Sequence, residues 1–178
     1  MKIEYRKKLS SGFLNLEEIT YKTSDDKIIK REIVHRGDAV TALVYDTKKC
    51  QFIFVRQFRP GANCDLTEIV AGTMDVEEES PENCMKREIM EEIGYEVDKI
   101  EQIFSGFSSP GSLTEKMYIF YAEVSEKTEE GGGIGDENLQ IIEISEKALD
   151  EHFFSDLKTI VAIQWYKKRK AYRSMLQK

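Results

Sequence analysis

Between Asp75 and Glu92 the chain places eight carboxylates (Asp75, Glu77, Glu78, Glu79, Glu82, Glu88, Glu91, Glu92) against two cations, Lys86 and Arg87. That gives a local charge of −6, nearly the −7 of the whole protein. The spacing within this stretch predicts a helix over 80–93. Ser80 followed by Pro81 supplies an N-cap and a first-turn proline. Cys84, Met85, Ile89 and Ile93 recur at helical spacing, and Gly94 suits the residue that ends a helix. On such a helix Glu88 faces both Glu91 and Glu92, because residues three and four apart are neighbours. Like charges at that spacing destabilise a helix, and a divalent cation would offset them. A solvated acidic face is the plainer reading of an acidic helix. Two details argue against it here. Glu88–Glu92 fall in the last two turns, where the helix dipole disfavours negative charge. The helix also follows a strand ending in Ala71-Gly72, and a glycine there lets the backbone turn tightly or approach a ligand.

The remaining sequence narrows the class. With 178 residues and 40% hydrophobic content, one domain, or one with a small appendage, can bury a sizeable core. Net negative charge disfavours non-specific nucleic-acid binding, which needs cationic surface. No apolar run approaches the ~20 residues of a membrane span, and the basic first residues lack the apolar stretch of a secretory signal. Cys50, Cys64 and Cys84 are an odd number without metal-motif spacing. They read as reduced thiols of a cytoplasmic protein. A disulfide scaffold, a zinc finger and a membrane protein are disfavoured together.

Segments 13–21, 27–35, 39–45 and 51–57 read as strands from their β-branched content and their Gly, Asp, Asn and Lys boundaries. Clean alternation is mostly missing, and 40–44 is apolar enough for a strand buried on both faces. Lys48-Lys49 reads as a hairpin connection. Segments 66–71, 100–107, 116–124 and 139–144 are further strands, with Gly131-Gly132-Gly133 before the last. A final helix is expected over 156–177, its basic residues complementing its own dipole. The class is α+β.

The helix and its approach, Gly72…Glu79…Arg87-Glu88-Ile89-Met90-Glu91-Glu92-Ile93-Gly94-Tyr95, resemble the Nudix box G-x5-E-x7-R-E-U-x-E-E-x-G-U. Tyr95 stands for the usual aliphatic residue, and six residues rather than five separate Gly72 from Glu79. The resemblance implies an α/β/α sandwich with a mixed sheet over 38–178. It also implies an N-terminal antiparallel sheet over about 1–37, often exchanged across a homodimer. It further implies Mg²⁺, or Mn²⁺, held by Glu88, Glu92 and the Ala71 carbonyl, with Glu91 catalytic on the same side and Arg87 paired to Glu79.

Val55-Arg56-Gln57-Phe58-Arg59-Pro60, Glu68-Ile69-Val70-Ala71-Gly72, Ser109-Pro110-Gly111 and the glycine triplet before Asp136-Glu137-Asn138 are similar to the ADP-ribose and nucleotide-sugar pyrophosphatase branch. That branch implies a diphosphate clamp at Arg59 and Arg56, substrate contacts at Ser109 and Gly111, and a catalytic carboxylate at Glu137. Glu115 is a further candidate, while His35 and His152 match no motif. The expected reaction is hydrolysis of a nucleoside diphosphate sugar, such as UDP-glucose, GDP-mannose or ADP-ribose, to a nucleoside monophosphate and a sugar phosphate. A non-catalytic sensor on the same fold is the alternative, although Arg87, Glu88, Glu91 and Glu92 are all retained. An RNA hydrolase has only the basic tail in its favour.

Overall fold

The computed structural model describes residues 2–12, 14–133 and 139–176. The chain divides into two compact units, Met1–Ala39 with Ser105–Met117, and Val40–Phe104 with Tyr118–Lys178.

The first unit is a three-stranded sheet of β1 (Lys2–Ser11), β2 (Asn15–Lys22) and β3 (Ile28–His35), in the order β1-β2-β3. Both pairings are antiparallel, β2 and β3 running from Asn15↔His35 to Lys22↔Ile28. The charged sequence of β1 gave no strand signal, and its pairing with β2 supplies what its own pattern lacks. Segment 105–117 lies on the far edge of β3, where the Val34 N–H donates to the Ser112 carbonyl at 2.8 Å and Thr114 N–H to the Val34 carbonyl at 3.2 Å.

The second unit is built on a seven-stranded sheet. Its strands are β4 (Ala39–Asp46), β5 (Gln51–Arg59), β6 (Cys64–Glu68), β7 (Val70–Thr73), β8 (Tyr95–Phe107), β9 (Lys116–Lys127) and β10 (Gln140–Ser145). The order is β10-β5-β4-β9-β8, with β6 on β5 and β7 on β4. Helix α1 (Pro81–Ile93) covers one face of the sheet and α2 (Leu157–Leu176) the other, an α+β sandwich of the expected class.

Successive residues of each central strand go to opposite cores. Val40, Ala42, Val44, Ile53, Val55, Phe120 and Ala122 pack under α1 with Cys84, Met85, Ile89 and Ile93. Leu43, Phe52, Phe54, Ile119 and Tyr121 pack under α2 with Ala162 and Ile163. Both faces are dry, so alternation between apolar and polar residues has no reason to appear. Tyr95, the departure from an aliphatic position, buries its ring in the α1 core. Its hydroxyl donates to Asp46 Oδ2 at 3.0 Å. Asp46 Oδ1 in turn accepts from the backbone N–H groups of Lys48 and Lys49 in the hairpin turn, both at 2.9 Å.

Besides β1, three elements depart from the sequence reading. The strand expected over 66–71 is two strands, β6 and β7, on different neighbours. The strand expected from residue 100 begins at Tyr95, directly after α1. A 3-10 helix, Glu146–Asp150, capped by Ser145, was not anticipated.

Candidate active site

Helix α1 starts as its sequence dictates. Ser80 Oγ accepts from the Asn83 N–H at 3.2 Å, Pro81 occupies the first turn, and Lys86 pairs with Glu82 at 2.7 Å. Its apolar stripe is buried in the sheet, which leaves Arg87, Glu88 and Glu91 half-buried at its margin. Glu92 is buried, and its Oε2 accepts from the Ala71 N–H at 3.3 Å. That bond brings the last turn of α1 against β7.

Gly72 has a geometric reason to be glycine. A Cβ there would lie 1.9 Å from Glu88 Cδ, so the Glu88 side chain passes directly over the β7 backbone. Glu88, Glu92 and the Ala71–Gly72 backbone therefore meet at one place. Glu91 joins them through Arg87, whose Nη1 donates to Glu88 Oε1 at 2.8 Å and to Glu91 Oε2 at 3.1 Å.

Arg87 also grips Glu79 with two nitrogens, Nε to Oε1 at 3.3 Å and Nη2 to Oε2 at 3.1 Å, and reaches Asp75 at 3.4 Å. One guanidinium thus serves four carboxylates, more than the single partner the resemblance implied. Its hydrogen bonds hold the Glu79 carboxyl below the usual range. Burial pushes the Glu88 carboxyl up, against the pull of Arg87. Burial also pushes the Cys84 thiol up to about 12, an inert rather than a reactive cysteine.

Among the described residues no three carboxylate, thiol or imidazole groups converge into a ready cage as they stand, because Arg87 lies between Glu88 and Glu91. The donors present are nevertheless all oxygen, which suits a hard cation such as Mg²⁺. The Gly72 cradle and the bond from Ala71 N–H to Glu92 fit such an ion.

The C-terminal end of α1 is closed by a distant segment. Gly94 is left-handed, with φ +75°, and its N–H donates to the Met90 carbonyl at 2.9 Å. The Glu92 carbonyl accepts from Gly132 N–H at 2.7 Å, and the Glu91 carbonyl from Gly133 N–H at 3.2 Å. All three glycines of the triplet have positive φ. In sequence the triplet simply precedes Asp136-Glu137-Asn138. It also docks on the carbonyls of the two glutamates it accompanies. Glu137 itself lies outside the described residues.

The other expected residues fall in several places. Arg56, on β5, approaches Asp65 at 3.5 Å. Arg59, at the end of β5, donates from Nε to Glu68 Oε2 at 2.5 Å. Ser109 and Gly111 belong to the first unit, where the Ser109 carbonyl accepts from Ser112 and Leu113 N–H at 3.1 and 2.9 Å. Glu115, in the same unit, approaches Arg36 at 3.6 Å.

Sequence reasoning gave no role to Glu68 or to Lys158. The Glu68 carboxylate is buried between Arg59 and Lys158, the latter donating to its Oε1 at 2.6 Å. A signal existed in Lys158, a cation in the first turn of α2, where the helix dipole opposes it.

Residues 35–166 match the NUDIX domain family. The chain belongs to the Nudix family. GDP-mannose pyrophosphatases of Escherichia coli K12 and of Shigella flexneri are each 37% identical to it over 148 residues, covering 76% of this chain and 76% of theirs. The crystal structure of an ADP compounds hydrolase superposes with a TM-score of 0.80 at 19% identity, covering 94% of this chain and 95% of the other. At that identity the superposition establishes the Nudix fold alone. The Nudix box occupies the turn from β7 into α1, so the residues that carried the resemblance are those the fold gathers around Gly72.

Proposed function

We propose that this Nudix protein is a divalent-cation-dependent hydrolase of nucleoside diphosphate sugars, releasing a nucleoside monophosphate and a sugar phosphate. GDP-mannose is the first substrate to test, given the 37% identity to GDP-mannose pyrophosphatases. The observation that carries the reading is the Glu88 side chain crossing Gly72 beside Glu92, an arrangement that a Cβ would forbid.

In this reading Glu88, Glu92 and the Ala71 carbonyl hold Mg²⁺ or Mn²⁺, and Glu91 stands beside them as a catalytic carboxylate. The cation, when bound, neutralises diphosphate charge and makes its water a stronger nucleophile. Glu137 takes the proton of the attacking water. Arg59 and Arg56 offer guanidinium forks, whose geometry matches phosphate oxygens. Ser109 and Gly111 contact the substrate. Arg87 keeps Glu79, Glu88 and Glu91 from repelling one another and holds the loop before α1 to the helix.

The same reading makes the protein a cytoplasmic homodimer. Strand β1 is a ten-residue sheet edge with Ile3, Tyr5 and Leu9 exposed, the kind of edge that pairs with a second copy unless it is protected. A monomeric mass by light scattering removes that part.

The test is hydrolysis of GDP-mannose, UDP-glucose and ADP-ribose with Mg²⁺, the products identified by chromatography. Glu92→Gln should lose at least about 100-fold in turnover, since even indirect supports of a metal site cost 10–100-fold, while circular dichroism stays native. Near wild-type turnover in that variant removes Glu92 from the site. Absence of hydrolysis with any of the three substrates overturns the reading.

A further inference from the structure

Arg59 meets Glu68 through a single nitrogen. Its Nε donates to Glu68 Oε2 at 2.5 Å, while its two terminal nitrogens make no hydrogen bond with the described residues. The Arg59 side chain is 38% exposed, and that of Glu68 only 4%. A carboxylate so buried is costly unless each oxygen has a partner. The second partner is Lys158, 11% exposed, whose Nζ donates to Glu68 Oε1 at 2.6 Å and to Asp156 Oδ1 at 2.9 Å.

The chain of bonds continues into the strand. Asp156 Oδ2 accepts from Thr159 N–H at 3.0 Å and from the Thr159 hydroxyl at 2.6 Å. Thr159 Oγ1 accepts from the Ile69 N–H at 3.0 Å. The first turn of α2 therefore grips both the side chain of Glu68 and the backbone of Ile69, just ahead of Val70 and Ala71. Among the two cations and two carboxylates involved the charges balance, and Arg59 is the most exposed of the four.

This arrangement differs from a surface ion pair, in which both partners rotate freely. With Oε1 fixed by the partly buried Lys158 ammonium, Oε2 stays aimed at Arg59 Nε. An arginine held by Nε keeps its planar outer edge, Nη1 with Nη2, available for a two-point contact with phosphate oxygens. The position of Lys158 in the first turn of α2, against the helix dipole, has its reason in Glu68 and Asp156.

We propose that Lys158 is a positioning residue for diphosphate recognition, acting through the buried Glu68 carboxylate to orient the free edge of Arg59. The inference rests on the reading of Arg59 as a diphosphate clamp. Lys158 touches no substrate. Its effect is on how well the arginine is preorganised, and preorganisation shows in binding more than in turnover.

The experiment is steady-state kinetics of the full chain on GDP-mannose with Mg²⁺, or on the best substrate of the hydrolysis screen, in a double-mutant cycle. Lys158→Met should raise KM about tenfold and leave kcat within about twofold, a coupling of the size expected for residues in one network. Lys158→Arg should recover most of the loss. In an Arg59→Ala background, Lys158→Met should change KM no further. If Lys158→Met does not accumulate as folded protein, Glu68→Gln carries the same cycle, because it keeps the side-chain shape and removes the charge. An unchanged KM in Lys158→Met, or a KM increase that persists undiminished in Arg59→Ala, overturns the inference alone. Wild-type protein without hydrolysis, or Arg59→Ala with an unchanged KM, overturns the functional reading and the inference with it.

Discussion

The two ends of α1 are held by opposite means. The N-terminal end uses its own neighbours in sequence. Ser80 Oγ accepts from Asn83 N–H, and Pro81 removes a donor that would have had no partner. The C-terminal end has no basic residue in its last turn and carries Glu91 and Glu92 where the dipole is already negative. Its exposed carbonyls are satisfied by Gly132 and Gly133, some forty residues further along the chain, while Gly94 accepts from Thr128 N–H at 2.8 Å and Glu129 N–H at 3.1 Å. The end that needs the site's geometry most is the one that tertiary structure builds. The local end is worth a cap, and the distant end is worth a fold.

The largest effects should come from adding a methyl group at the distant end. A Cβ on Gly94 would lie 2.0 Å from the Glu129 carbonyl oxygen, and one on Gly131 2.6 Å from the Ile93 carbonyl carbon. Both obstacles are backbone, which cannot step aside cheaply, and both glycines have φ above +70°. Left-handed strain of about 1–2 kcal/mol plus overpacking of about 1–3 kcal/mol predicts a loss near 3 kcal/mol for either alanine variant, larger at Gly94. Urea unfolding of wild type, Gly94→Ala and Gly131→Ala measures it. Gly94→Asn separates the two contributions, because asparagine tolerates the left-handed conformation but still meets the Glu129 oxygen. Alanine variants as stable as wild type would mean that the loop does not cap the helix.

Gly72→Ala sharpens the contrast by moving the obstacle from backbone to side chain. The atoms a Cβ would meet are the Cδ, Cγ and Oε1 of Glu88, the far end of a flexible side chain that can swing away. Stability should fall by no more than about 1 kcal/mol, the centre of the range for single substitutions. If Glu88 holds the cation as proposed, turnover should fall about 100-fold, because a side chain displaced by an ångström loses its alignment. Unfolding and kinetics on one preparation test both halves, and a variant that keeps its turnover would show that Glu88 need not cross Gly72.

How much of this was legible in the sequence follows the same division. The start and end of α1 were readable to the residue, since Ser80, Pro81 and Gly94 act on adjacent backbone. The pairing of Arg87 with Glu79 came only with the Nudix resemblance, although the two residues lie on one helix and the loop before it. The central strands were found by composition but not by alternation, because α1 and α2 cover both faces of the sheet and remove the polar half of the pattern. Strand β1 carries no strand signal of its own, because its exposed, charged residues show nothing of the partner that makes it a strand, and only the resemblance implied a sheet there. Lys158 was absorbed into a basic tail. The charges further along that tail, Arg169, Lys167 and Lys170, do meet Glu101, Asp150 and Glu146. Lys158 alone sits at the wrong end of the dipole. Partners ninety residues apart, as Lys158 and Glu68 are, leave no local trace.

The smallest expected effect tests the local end. Ser80→Ala removes the oxygen that accepts from Asn83 N–H and leaves Pro81, Glu82 and the apolar stripe in place. Loss of a serine N-cap costs about 1 kcal/mol, which for a chain of this size lowers Tm by roughly 2–4 °C. Ser80→Gly should cost only a few tenths of a kcal/mol, because glycine leaves the cap N–H groups open to water. Turnover should be unchanged in both, since the first turn of α1 lies one or two helical turns from Glu88 and Glu92 and the distant cap still fixes their end. Calorimetry alongside the Gly131→Ala protein makes the comparison direct. If Ser80→Ala cost as much as Gly131→Ala, or reduced turnover with it, the helix would be settling as one rigid piece, and the division between a locally built end and a tertiary one would not hold.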